Sequence, residues 1–157
     1  LITLPWQDNV KNLALLSEVL TEFSANCETE IVSNVKSNEA LISALTSYDN
    51  CADIYHAIVN QEFEDKWLQS AQKKLKNGSP LSAALIYQQL LSSKNFTLAQ
   101  CFASELNLSL RCCQYPEFSE GVRALLVDKD KNPHWHYENI NSVPEEIVDW
   151  FFTPFTS

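Results

Sequence analysis

The chain has 157 residues, 45% of them apolar and 20% charged. That is material for a single core, and it excludes a disordered tail, which lacks the apolar area to offset chain entropy. Acidic residues number 20 and basic residues 11, for a formal charge of −9, which excludes a general affinity for nucleic-acid phosphates. Only 2 glycines and 6 prolines are present. Turn-rich sandwiches, barrels and glycine-rich phosphate loops all need more glycine, so the chain reads as all-α.

Asp8 or Asn9 can cap a first helix reaching about Ser24, with Val10, Leu13, Leu16, Leu20 and Phe23 on one stripe. Thr29 to Lys36 is short and ambiguous. Asn38 precedes a second amphipathic segment through Leu41, Ala44, Leu45 and Tyr48, broken by Asp49-Asn50. Ile54, Tyr55, Ile58 and Val59 form a third stripe. Glu62 to Lys76 is helical in pattern and stops at Asn77-Gly78 after a lysine-rich turn; those lysines complement the helix dipole.

Ser79-Pro80 is a cap followed by proline at the first helical position, and opens a broadly apolar helix to about Ser92. Thr97 opens the longest helix, to about Tyr115, with Leu98, Cys101, Phe102, Leu108, Ser109 and Cys112 as its expected inner face. Pro116 ends it. Glu117 to about Val127 follows, then a polar loop from Asp128 to Tyr137, then a last helix from Pro144 through Trp150. No strand is expected. The expected architecture is one helical domain over 1–157, an irregular bundle of about seven to eight short and medium helices. A composition shift divides short polar helices (1–77) from longer apolar ones (79–157).

Glu105 falls beside the expected inner face of the longest helix, four residues after Cys101 and four before Ser109. A buried carboxylate needs a partner. Arg111 is six residues away, off the favoured spacing, so a Glu105–Arg123 ion pair to the next helix is expected. A general-base role for Glu105 is the lesser reading.

The cysteines are Cys27, Cys51, Cys101, Cys112 and Cys113, an odd number with no C-x-x-C spacing. They read as small reduced hydrophobes of a cytosol-like compartment. A zinc site from Cys112, Cys113, His134 and His136 lacks standard ligand spacing, so no metal is expected. His56 reads as a solvated helix residue. Alternation turns His134 and His136 one way and Trp135 the other, into the core. No apolar run approaches the roughly 18 residues of a membrane span, and no membrane partner is expected. Leu1 is preceded by no Met and no basic leader is present, so the chain is expected to begin inside a longer polypeptide; trimming of the terminus is the alternative.

One stretch is more specific. Ser79-Pro80-Leu81-Ser82, then Thr97-Leu98-Ala99-Gln100, are followed by Glu120-Gly121-Val122-Arg123-Ala124, Asp128-Lys129-Asp130 and Pro133-His134-Trp135. Their order and spacing resemble the C-terminal region of the 3-hydroxyisobutyryl-CoA hydrolase branch of the crotonase (enoyl-CoA hydratase/isomerase) superfamily, strongly over residues 79–135. The resemblance implies a C-terminal helical part separated from an N-terminal β-β-α core. In the family that core holds the thioester carbonyl with two backbone N–H groups and supplies the acidic side chains. No position here carries those residues, so no catalytic residue is assigned and no cofactor is expected. The resemblance implies that a CoA thioester is the substrate of the parent enzyme.

The function implied is a cover for the cleft and a packing surface in a hydrolase of a short branched acyl-CoA, 3-hydroxyisobutyryl-CoA of valine catabolism, the chain being inactive alone. The rivals are the same role in an enoyl-CoA hydratase or isomerase, and a free-standing helical interaction domain. The implied partners are the missing core and, through an exposed apolar face, a second copy. Lys129 and Lys131 are the implied CoA phosphate contacts, and Gly121 is expected to permit close helix packing. The implied location is cytoplasmic, or the mitochondrial matrix in a eukaryote.

Overall fold

The computed structural model describes residues 8–25 and 32–154. Among them every regular element is helical, as the composition requires. The helices are α1 (Asn9–Ala25), α2 (Asn34–Ser37), α3 (Glu39–Leu45), α4 (Cys51–Asn60), α5 (Lys66–Asn77), α6 (Pro80–Ser93), α7 (Leu98–Gln114), α8 (Pro116–Val122) and α9 (Glu145–Phe152). A π-helical turn, Arg123–Val127, continues α8, and a 3₁₀ turn, Ile140–Ser142, precedes α9.

Two compact units are present, Leu1–Glu39 and Ala40–Ser157. The division at 39/40 lies well before the composition shift at 77–79. In the first unit Asp8 opens α1, accepting from the Lys11 backbone N–H at 2.9 Å and lying 3.5 Å from the Lys11 ammonium. Leu13, Leu20 and Phe23 of the α1 stripe are exposed. Part of the ambiguous Thr29–Lys36 segment, with Cys27 before it, lies outside the described residues; its end is α2, capped by Ser33.

In the second unit the caps set the boundaries. Asn50 accepts from the Asp53 N–H and opens α4. Asp65 accepts from the Trp67 and Leu68 N–H groups, so α5 starts at Lys66 rather than at Glu62. Gln72 of α5 donates to the Ile58 and Gln61 carbonyls, at 2.8 and 2.7 Å, which ties α5 to the end of α4. Gly78 ends α5 with φ −75°, so no left-handed cap is used. Glycine is favoured there because an added Cβ would lie 3.0 Å from the Lys74 carbonyl oxygen, a tight approach. Ser79 caps α6 and Thr97 forms a full capping box with Gln100 on α7.

The core forms where α6, α7 and α9 meet. Leu81 and Phe151 are each 1% exposed and pack with Leu85 against Leu108, Cys112, Tyr115 and Ile147. Polar bonds anchor α9 on α7. The Asn107 amide donates to the Phe151 and Thr153 carbonyls, and Arg111 donates to Thr153 and Pro154 while its guanidinium lies 4.6 Å above the Trp150 ring. Arg111 thus joins α7 to the residues that follow α9.

The expected inner face of α7 divides in two. Cys101, Leu108 and Cys112 are half-buried, whereas Leu98, Phe102 and Ser109 are exposed. Glu105 lies on the exposed side. The expected Glu105–Arg123 pair is therefore corrected: Glu105 is exposed and has no burial to offset, and Arg123 pairs elsewhere. The described cysteines are all free, and burial pushes the Cys51 and Cys112 thiols up, away from the reactive thiolate. Among the described residues no helix is long and apolar enough to cross a membrane and no metal-ligating cluster occurs.

Candidate functional site

Two glutamates one turn apart on α8 organise the site. Glu117 is buried; one carboxylate oxygen accepts from the Ser79 hydroxyl at 2.5 Å and the other from the His136 backbone N–H at 3.1 Å. Glu120 accepts from the His134 backbone N–H at 2.6 Å. An extended segment can offer alternate N–H groups in this way, so residues 134–136 lie along α8. Trp135 points the other way, as alternation implies. Its indole Nε1–H donates to the Asn77 carbonyl at 3.0 Å, and its ring passes 3.3 Å from where a Gly121 Cβ would stand. Gly121 therefore admits a tryptophan ring, not a second helix. His56, expected to be solvated, is half-buried; its ring lies edge-on to Tyr55 and 3.0 Å from the Asn141 amide.

Arg123 sits one turn after Glu120, where α8 widens. Asp128 N–H donates to the Arg123 carbonyl five residues back at 2.8 Å, which is the π-helical register. The guanidinium meets Glu120 through Nε and Nη2 at 2.9 and 2.8 Å, Asp128 and Asp130 through Nη1 at 2.7 and 2.8 Å, and the Asn132 carbonyl at 3.1 Å. Lys129 and Lys131, between and after those aspartates, have left-handed backbone with φ of 57° and 56°. For a residue with a Cβ this costs about 1–2 kcal/mol each. Both lysines are exposed.

The Arg123 hydrogen bonds, and then the His134 N–H, hold the Glu120 carboxyl down at about 2 from an ordinary 4.5. Asp130 is lowered first by its Arg123 hydrogen bond. A carboxylate depressed on folding contributes stability that is present above its unfolded value and lost as pH falls through its folded one. The 128–134 loop is expected to stay fixed above pH 4.5 and to be released as pH falls towards 2. Loss of the dispersed Trp135 indole N–H signal in that window checks this; release above pH 5.5 would contradict it.

Beside the loop runs a groove of about 950 Å³, floored by Phe118, Val122, Leu125, Leu126 and Trp135 and edged by Lys131. Phe118, Leu125 and Leu126 are exposed in it. A smaller cavity of about 470 Å³ lies between Pro116, Glu120 and His136. Sequence reasoning singled out Arg123, Lys129 and Lys131 but missed Glu117, Glu120, Asp128 and Asp130. The Glu120-x-x-Arg123 spacing was a usable signal for an i,i+3 pair. Nothing local marks Glu117, whose partners are 38 and 19 residues away.

A family model described as enoyl-CoA hydratase/isomerase matches residues 3–152. The chain belongs to the enoyl-CoA hydratase/isomerase family. Within it the similarity is to the 3-hydroxyisobutyryl-CoA hydrolase branch. A mitochondrial 3-hydroxyisobutyryl-CoA hydrolase of Dictyostelium discoideum is 37% identical over 59% of this chain and 24% of its own length. The corresponding mitochondrial protein of Gallus gallus is 32% identical over 84% of this chain and 28% of its own. Small ribosomal subunit protein mS47 of Arabidopsis thaliana is 32% identical over 73% of this chain and 29% of its own. An enoyl-CoA hydratase structure from Rhodobacter sphaeroides superposes with a TM-score of 0.72 at 20% identity, over 90% of this chain and 43% of that one. The fold is thus a helical part of this family's fold, and the chain spans less than half the length of these relatives.

Proposed function

We propose that the chain is the C-terminal helical part of a CoA-thioester hydrolase of the 3-hydroxyisobutyryl-CoA type, covering the cleft of a β-β-α core and packing against subunits. The observation that carries this reading is the apolar surface left open on the second unit. Leu98, Phe102 and Leu106 step by four along α7, exposed by 73%, 63% and 63%, and Phe118, Leu125 and Leu126 are exposed around the groove. Scattered apolar residues are ordinary on a monomer; stripes of this kind mark a surface that meets another. The partial span of each relative supports the same reading.

In this reading the reactive groups belong to the core. Lys129 and Lys131 approach the phosphates of the bound CoA, which is substrate and not cofactor. The acyl group is short and branched, as in valine breakdown, and the compartment is mitochondrial, in line with the names of the relatives. The decisive experiment compares thioester hydrolysis by the polypeptide carrying core and helices with that of the purified chain. Hydrolysis of 3-hydroxyisobutyryl-CoA is expected from the first and none from the second. Enzyme-like turnover by the chain alone would overturn the proposal, and hydration of an enoyl-CoA without hydrolysis would move it to the hydratase branch.

The chain alone is also expected to bury its open face against copies of itself. Light scattering should report oligomers, and Phe102→Glu with Leu106→Glu should shift them towards monomer. A monodisperse wild-type monomer would count against the open-face argument. The similarity to mS47 favours a second reading, in which the same helices serve an assembly and no catalysis. A core-bearing polypeptide without hydrolase or hydratase activity would support it.

A further inference from the structure

Arg123 has five N–H donors, and all five are used: Nε and one Nη2 hydrogen on Glu120, the other Nη2 hydrogen on the Asn132 carbonyl, and Nη1 on Asp128 and Asp130. It has none left for a ligand. What the five bonds achieve is an order of side chains. The carboxylates of Asp128 and Asp130, themselves exposed, are held on the guanidinium, while Lys129 and Lys131, alternating with them, are exposed and not held there. Among the described residues neither lysine has an ion pair.

These two lysines are also the non-glycine residues of the described chain with positive φ. Such backbone persists where its surroundings over-determine it, commonly at ligand clamps. Here the over-determination is visible. Asp128 N–H is bonded to the Arg123 carbonyl, Lys131 N–H to the Ala124 carbonyl at 3.0 Å, and Asn132 N–H to the Asp130 carboxylate at 2.9 Å. A loop that only had to connect two helices would not need two strained residues, nor three carboxylates gathered on one arginine.

We infer that Arg123 is a positioning residue for anion recognition: through Asp128, Asp130 and the Asn132 carbonyl it holds the loop so that Lys129 and Lys131 project as a pair towards the phosphate groups of a CoA-type ligand. The inference rests on the proposed role of those lysines. It adds that their affinity depends on a side chain that never touches the ligand.

The test measures, in the full-length protein, dissociation constants for CoA and for pantetheine, which shares the thiol arm but has no phosphate. The ratio of the two is the readout, because a smaller folded fraction raises both apparent constants by the same factor. Arg123→Gln is expected to weaken CoA about tenfold relative to pantetheine and to flatten the salt dependence of CoA binding. Asp130→Asn, which leaves the Glu120 pair in place, should move the ratio in the same direction by less. Lys129→Gln with Lys131→Gln is the control. If the lysine variant changes the ratio and neither Arg123→Gln nor Asp130→Asn does, the positioning role is overturned while the phosphate contact stands. If the lysine variant leaves the ratio unchanged, both are overturned.

Discussion

Replacing Phe151 by alanine is expected to destabilise the second unit by about 3–5 kcal/mol. Phe151 is 1% exposed, and its ring lies 5.3 Å from the Tyr115 ring and 5.0 Å from that of Trp150. Both contacts have the edge-on geometry that aromatic pairs prefer. Leu81 and Leu85 of α6 close the other side. Removing the ring loses its transfer free energy and leaves a cavity among these neighbours, and the two costs add. Because Asn107 and Arg111 hold the backbone and side chains just beyond Phe151, α9 should loosen as a whole, and the midpoint in urea should fall without separate transitions for α6 and α9. A loss under 1 kcal/mol would mean that α9 is not an integral part of this core.

Much of this arrangement is legible in the sequence. Ser79-Pro80, Thr97 with Gln100, and Pro116 mark helix boundaries by local chemistry alone, and the structure uses each as a boundary. Local rules fail where the partner is remote or absent. Leu98 and Phe102 are apolar and helically spaced, so they read as core, yet in this chain they face outward. Periodicity reports that a face is apolar, not what covers it. That error placed Glu105 at the core and sent Arg123 to it. The preferred partner, Glu120, stands one turn from Arg123, and the alternating Asp128-Lys129-Asp130-Lys131 run conceals two more. The π-helical turn that brings them together has no sequence signature here. The motif is legible as a family mark, while its physical content, one arginine saturated by its own loop, exists only in the folded arrangement.

Glu117 carries the other large expectation. Truncation to alanine should cost about 2–3 kcal/mol, since it strands two donors at once, the buried Ser79 hydroxyl and the part-buried His136 N–H. The Ser79 hydroxyl, which also accepts from the Ser82 N–H as the cap of α6, loses its acceptor, and so does the His136 N–H. Three elements, α6, α8 and the 134–136 segment, meet on this one carboxylate. Glutamine keeps the shape and can satisfy both sides: its oxygen accepts from the His136 N–H and its amide donates to the hydroxyl oxygen, the Ser79 proton turning away. Glu117→Gln is therefore expected to cost under about 1 kcal/mol, with the Trp135 indole still bonded to Asn77. The alanine variant should lose that indole signal together with stability, because Trp135 is held in place by the same backbone that Glu117 and Glu120 fasten. An alanine variant as stable in urea as the wild type would show that these hydrogen bonds contribute nothing to the fastening.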